Sequence, residues 1–159
     1  MAAEPVQVRG LDEFRRKAAE LPRAMRSRVL RNALAAGARE VRDTARRNTP
    51  VLSLGAAARV PYRKPGTVRK AISVRTSKLA RRRGDVGVFV NVKPAARSVR
   101  GTKSRDDPFY WRFLEFGTRF IAARPFMQRG AERLPEALKI FEQHLGKWLA
   151  SVQQGGPAK

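Results

Sequence analysis

A long apolar stripe near the end of the chain requires a packing surface of comparable length. From Pro125 to about Val152, apolar side chains recur at alternating spacings of four and three residues, with charged residues between them. This heptad pattern predicts a helix packed along its length, and Pro125 suits its first turn. We expect Pro135 to kink or restart this helix, because an interior proline loses a hydrogen bond. The stripe consists of Met127, Ala131, Leu134, Leu138, Phe141, Leu145, Trp148 and Val152.

A second long helix is predicted from Pro22 to about Arg47, after a short helix over Leu11 to Glu20. Small residues at Ala33 to Ala38 would let another backbone approach closely, although Gly37 in mid-helix costs about 1 kcal/mol. Asn48-Thr49-Pro50 ends the helix. Its narrow apolar stripe consists of Met25, Val29, Ala33, Ala36, Gly37 and Val41.

Three short segments of the chain alternate in the manner of strands. Residues 72–76 and 86–92 flank a charged turn at Arg81 to Asp85 and are expected to pair as a hairpin. A further short strand is predicted at Pro5 to Arg9. Before the hairpin, Thr67 is predicted to cap a short turn that runs through Lys70. The sequence therefore predicts an α+β fold in which the long N-terminal and C-terminal helices cover a small antiparallel β-sheet.

The predicted domain organisation is one domain over residues 1–152. Residues 51–66 and 93–107 combine proline, glycine and small or basic residues, and are predicted to form mobile loops. The basic loop at 93–107 has so little apolar content that we expect it to be disordered in the free protein. Residues 153–159 are predicted to form a flexible tail.

The charge of the chain is strongly one-sided. Thirty-five Lys and Arg face thirteen Asp and Glu, which gives a net charge of +22. Such a protein is expected to associate with nucleic acid, an acidic protein ring or an anionic membrane, and charge alone does not choose among them. No DNA-reading module is recognisable, so any contact with DNA is expected to be non-specific. The candidate contacts with DNA or an acidic partner are Arg81, Arg82, Arg83, Arg97, Arg100, Lys103 and Arg105.

The residues needed for catalysis are scarce. The chain has no cysteine and one histidine, His144, which excludes thiolate chemistry and a histidine pair for zinc. Asp106, Asp107 and Glu115 are expected to be solvated or salt-bridged rather than a catalytic carboxylate pair. A basic ribonuclease would lack an acid–base pair beyond His144. We therefore predict a protein that is not an enzyme and has no catalytic, cofactor or metal site.

The segment Tyr110 to Thr118 is unusually rich in large apolar residues. We expect a short buried helix or turn over Tyr110 to Phe116, ended by Gly117 with a positive φ. After a short gap, Arg124-Pro125-Phe126-Met127 opens the last helix.

This string resembles the gene-ten-type neck or tail-completion proteins of lambdoid and other long-tailed bacteriophages, also called head–tail joining or minor tail proteins. In that family an aromatic residue leads into Leu-Glu-Phe-Gly-Thr, and a Pro-Phe pair opens the C-terminal helix. The looser likeness spans about residues 10 to 150, and the basic loop at 93–107 departs from it. The matching residues are Tyr110, Leu114, Glu115, Phe116, Gly117, Thr118, Arg124, Pro125, Phe126 and Met127.

The resemblance implies a structural virion protein that joins a six-fold or related ring of identical subunits in the neck. Its implied neighbours are the head-connector and the tail-terminator or tail-tube proteins, with non-specific contact to packaged double-stranded DNA. Glu115 is expected to bind Arg119, Arg124 or an arginine of a neighbouring subunit. Without a signal-like start or an apolar run of about 18 residues, we expect a soluble protein made in the bacterial host's cytoplasm, with no membrane partner. The alternative is a basic non-specific nucleic-acid-binding protein.

Overall fold

A computed structural model describes residues 11–19, 22–53, 64–95 and 107–153. The strand predicted at Pro5 to Arg9, most of the predicted loop at 51–66, residues 96–106 of the basic loop and the final six residues lie outside this part. In chain order the elements are α1 (Leu11–Ala19), α2 (Arg23–Asn48), α3 (Thr67–Ala71), β1 (Ile72–Thr76), α4 (Lys78–Arg83), β2 (Val88–Val92), α5 (Trp111–Phe116), α6 (Phe126–Ala131) and α7 (Leu134–Gln153).

Helix α2 organises the fold, because it packs against α6, α7 and both strands. Near its middle, Ala33 belongs to an apolar cluster formed with α1 and α7. Near its end, Ala45 belongs to a second cluster formed with α3, the sheet and α6. The predicted α+β fold, with a small sheet against a long N-terminal and a C-terminal helix, is confirmed. The buried members are Phe14, Ala18, Ala33, Phe141, Leu145 and Leu149 in the first cluster, and Ala45, Val68, Ile72, Val92 and Phe126 in the second.

The strands pair antiparallel, from Ile72 opposite Val92 to Thr76 opposite Val88. The predicted pairing is thus confirmed, with the second strand beginning two residues later than its alternation suggested. The connection is more than the predicted charged turn, because residues 78–83 form helix α4. Ser77 accepts a hydrogen bond from the Ala80 N–H at 3.1 Å and so caps this helix. Gly84 ends it with a left-handed φ of 82°.

The predicted C-terminal helix is divided in two. Helix α6 ends at Ala131, and α7 begins at Leu134 with Pro135 in its first turn, where a missing N–H costs nothing. A kink or a restart of the helix was expected at Pro135, and the structure shows a restart. The new start changes the buried face: Leu134 is 54% exposed. The residues of α7 that are buried follow a spacing of four and are Ala137, Phe141, Leu145 and Leu149.

Candidate interaction site

Glu115 links α5 to the start of α6. Its side chain is buried, and its two carboxylate oxygens accept hydrogen bonds from the backbone N–H groups of Met127 at 2.9 Å and Gln128 at 3.0 Å. Both amides lie in the first turn of α6, where no carbonyl of the helix itself can serve as partner. The predicted ion pair with Arg119 or Arg124 is therefore wrong, since the carboxylate is used as a cap.

Gly117 turns the chain sharply after α5. Its backbone has φ 74° and ψ 177°, a conformation that is essentially limited to glycine. A Cβ at this position would lie 2.9 Å from both the Ile121 carbonyl oxygen and the Ala123 nitrogen. The expected positive φ is confirmed. The close approach of residues 121–123 is a second reason why glycine is required at position 117.

A tight turn follows at Thr118 to Ile121. The Thr118 N–H donates to the Ile121 carbonyl at 2.8 Å, and the Ile121 N–H donates back to the Thr118 carbonyl at 3.2 Å. The Thr118 hydroxyl oxygen also accepts from the Phe120 and Ile121 amides, at 3.2 and 3.1 Å. The Arg124 N–H then donates to the Leu114 carbonyl at 2.7 Å, so the loop returns to α5.

This arrangement exposes large apolar side chains. The short helix predicted over Tyr110 to Phe116 is confirmed as α5, but the expectation that this segment is buried is wrong for Phe113 and Phe116. Phe116 is 74% exposed and Phe120 at the tip of the turn is 80% exposed. A six-residue helix buries only one side, and here Trp111 and Leu114 face the second core cluster. We call the exposed set the aromatic surface, which consists of Phe109, Phe113, Phe116, Phe120 and Ile121.

Three arginines lie beside residues of the aromatic surface. The Arg119 guanidinium lies 4.3 Å from the centroid of the Phe120 ring, and that of Arg112 lies 5.6 Å from the Trp111 ring. Arg124 is exposed as well, whereas Glu115 is buried against backbone amides. The surface therefore combines aromatic rings with guanidinium groups, the residue types enriched where proteins bind each other.

A second feature is a cleft of about 580 Å³ between the first half of α2 and helix α4. The predicted contacts Arg81, Arg82 and Arg83 line it together with Arg23 and Arg31. We call it the arginine cleft. The two arginines of α2 were not among the predicted contacts, although their spacing of eight places them on one face of the helix. The other predicted contacts, Arg97, Arg100, Lys103 and Arg105, lie outside the described residues.

Little else in the described part of the chain suggests chemistry. His144 is exposed on α7, and no group of three or more described His, Asp or Glu residues could hold a metal ion. Asp107 is half-buried, while Glu115 is occupied by its two amides. None of the described helices is both long and apolar enough to cross a membrane.

Comparison with known families gives a match over residues 12–117 to the family described as "Bacteriophage HK97-gp10, putative tail-component". The match covers 106 of the 159 residues. The chain belongs to this family. No curated protein and no solved structure matches it.

The HK97-gp10-like match runs from α1 to Gly117 and so includes Glu115 and the aromatic residues of α5. Thr118, Arg124, Pro125 and Phe126 of the predicted motif lie beyond its end. Family membership identifies this HK97-gp10-like chain as a tail-component-like structural protein of a phage virion, and therefore as a protein that contacts other virion proteins.

Proposed function

We propose that this protein is a non-enzymatic ring component of the phage neck that acts in head–tail joining or tail completion. The aromatic surface carries the proposal, because five large apolar side chains are exposed between residues 109 and 121, and groups of exposed apolar side chains mark sites where proteins bind each other. Family membership supports a partner within the virion.

The scaffold beneath the aromatic surface favours a docking role. The Glu115 carboxylate and the Gly117 turn hold α5 and the following loop in one geometry. A preorganised surface loses less conformational entropy when it binds, and so retains more of its contact energy.

The chemistry of the expected partner follows from the charges. Arg112, Arg119 and Arg124 border the aromatic surface, so a partner with apolar pockets and an acidic rim is complementary to it. Pairing of this surface with the same surface of a second copy would set arginines against arginines. We therefore assign it to a neighbouring virion protein, either the head connector or a tail-terminator or tail-tube protein.

Subunits of this protein would contact each other through a different face, head to tail, because such contacts close into rings. A six-fold or related ring is the assembly we propose. Its location would be the neck of the virion, with synthesis in the cytoplasm of the bacterial host.

The proposal can be tested by native mass spectrometry of the protein alone and mixed with the products of the adjacent genes. We expect a cyclic oligomer, alone or on a partner, and a complex with at least one neighbour. A Phe116→Ser and Phe120→Ser double variant should fold but lose that complex. The matched control is Leu79→Ser with Leu134→Ser, which changes two exposed apolar side chains elsewhere.

Two results would overturn the proposal. One is a protein that stays monomeric with every adjacent gene product. The other is a phage deleted for this gene that still produces joined, infectious particles. Equal loss of the complex in both double variants would show that the aromatic surface is not the docking site.

A further inference from the structure

We infer that the arginine cleft is a binding site for the phosphodiester backbone of double-stranded nucleic acid, recognised without regard to base sequence. The inference rests on the geometry and charge of the cleft. It does not depend on the proposed place of the protein in the neck.

Two separate elements bring the arginines together. On α2, Arg23, Ser27 and Arg31 are spaced by four and line one wall. At a rise of about 1.5 Å per residue, the two arginines of this wall are roughly 12 Å apart along the helix. Helix α4 contributes three consecutive arginines, residues 81–83, to the opposite wall.

The two walls are attached to each other. The Arg23 Nη2 donates a hydrogen bond to the Gly84 carbonyl at 3.2 Å. Gly84 also lies so close to this guanidinium that an added Cβ would collide with it. The Ser77 cap fixes the other end of α4. The arginines of the cleft are therefore carried by two helices that this hydrogen bond links.

Apart from that of Arg23, which binds Gly84, the guanidinium groups of the cleft remain available to a ligand. Elsewhere Arg42, Arg47 and Arg133 pair with acidic side chains. Within residues 11–19, 22–53, 64–95 and 107–153, neither Arg31 nor any of Arg81 to Arg83 forms such an ion pair. Asp85 is the single acidic residue among the described residues that line the cleft, against five arginines.

The lining favours a duplex backbone over other polyanions. Guanidinium groups bind phosphate oxygens in a bidentate manner, and a duplex presents about one phosphate charge per 1.7 Å of its axis. Single strands are normally bound with aromatic rings that stack on the bases, and no aromatic residue is among the described lining residues. An acidic protein would be expected to anchor on aromatic rings, which lie instead on the aromatic surface.

The test compares two variants of the full chain that lose the same number of charges. The cleft variant replaces Arg31, Arg81, Arg82 and Arg83 by Gln. The control replaces Arg16, Arg28, Arg39 and Arg69 by Gln, four exposed arginines outside the cleft that form no ion pair with a described residue. Thermal unfolding first checks that both variants are folded. Fluorescence anisotropy then measures the binding of a labelled random-sequence DNA duplex, and separately of a polyglutamate peptide, over a range of salt concentrations.

We expect the cleft variant to bind the duplex at least tenfold more weakly. The slope of log K against log salt should fall by about 3 to 4, since each lost phosphate contact removes about 0.9. The control should change affinity less than threefold and keep the slope. Equal losses in both variants would overturn the inference, because net charge alone would explain binding. A cleft variant that loses polyglutamate binding but retains duplex binding would also overturn it and assign the cleft to an acidic protein.

Discussion

Gly37 of α2 lies directly against the backbone carbonyl of Ala137 of α7, so closely that a Cβ on Gly37 would overlap that oxygen. The two longest helices thus touch through their main chains at this point. The contact explains why a residue that weakens a helix by about 1 kcal/mol lies in the middle of α2.

We predict that Gly37→Ala destabilises the protein by about 1 to 3 kcal/mol, because overpacking outweighs the gain in helix propensity. Gly146→Ala in α7 is the control, since no atom lies within 4 Å of its added Cβ. The control should gain about 0.5 to 1 kcal/mol. Urea unfolding of both variants measures the difference, and stabilisation of the protein by Gly37→Ala would contradict the close contact.

The parts of the fold that follow from periodicity were predictable from the sequence. The 3.6-residue pattern of α2 and the alternation of β1 and β2 gave the elements and their pairing, because each repeats over several residues. Helix α4 was missed because it is short, and the Arg run that forms it is equally typical of a turn. The break between α6 and α7 does not follow from the sequence alone, because Pro135 permits either a kink or a new start.

The site was less predictable, since it depends on which side of a short helix meets the core. Phe116 is as apolar as Phe126, yet only Phe126 is buried. The role of Glu115 depends on amides twelve and thirteen residues later, whose position is set by the path of the intervening loop. Proximity in sequence between an arginine and a carboxylate is therefore weak evidence that the two form an ion pair in the folded protein.

Glu115→Ala is predicted to lower the free energy of unfolding by about 1.5 to 3 kcal/mol, the range for hydrogen bonds to a charged group. The loss arises because two amides of the first turn of α6 lose their acceptor. Glu132→Ala, an exposed acid between α6 and α7, is the control and should change stability by less than about 0.5 kcal/mol. If chemical denaturation shows that both substitutions change the free energy of unfolding equally, Glu115 does not act as a cap of α6.

Gly117→Ala should be more costly than Gly66→Ala, although the two glycines have nearly the same φ of 74° and 75°. For Gly66 the cost is conformational only, about 1 to 2 kcal/mol, because nothing lies within 4 Å of an added Cβ. Gly117 differs in its ψ of 177°, which places it in a region essentially limited to glycine, whereas Gly66 has a ψ of 7°. Gly117 also adds the contacts at 2.9 Å with Ile121 and Ala123, so the turn itself must shift. Thermal unfolding of the two variants side by side tests this order. Equal melting temperatures would show that the turn shifts to accommodate the added Cβ at no cost in stability.

Asp43 is predicted to stabilise the fold at neutral pH and to lose this effect in acid. Its two carboxylate oxygens bind Arg42 at 2.8 Å each, and this hydrogen bonding, with the charges of Arg42, Arg46 and Arg47, lowers the pKa of Asp43 below its usual 3.8. Because the folded pKa is the lower one, the stabilisation is complete above pH 3.8 and disappears as the pH falls through the lowered pKa.

The measurement is the stability difference between the wild type and Asp43→Asn as a function of pH. We expect a loss below about 1 kcal/mol at pH 7, because the side chain is 40% exposed and solvent screens the pair. The difference should disappear in strong acid. A difference that persists there would mean that the amide perturbs packing rather than charge.

Phe126 and Phe120 are predicted to separate stability from association. Phe126 is 1% exposed within the second core cluster, so Phe126→Ala should cost about 3 to 5 kcal/mol. Phe120 lies at the tip of the turn, and Phe120→Ala should change the free energy of unfolding by less than about 0.5 kcal/mol, because it removes no core contact. Binding to a neighbouring virion protein should show the opposite order at a temperature where both variants are folded. Phe120→Ala should weaken this binding, and Phe126→Ala should not. If Phe120→Ala instead unfolds the protein and leaves association of the folded fraction intact, the ring is part of the core and the aromatic surface is not a docking surface.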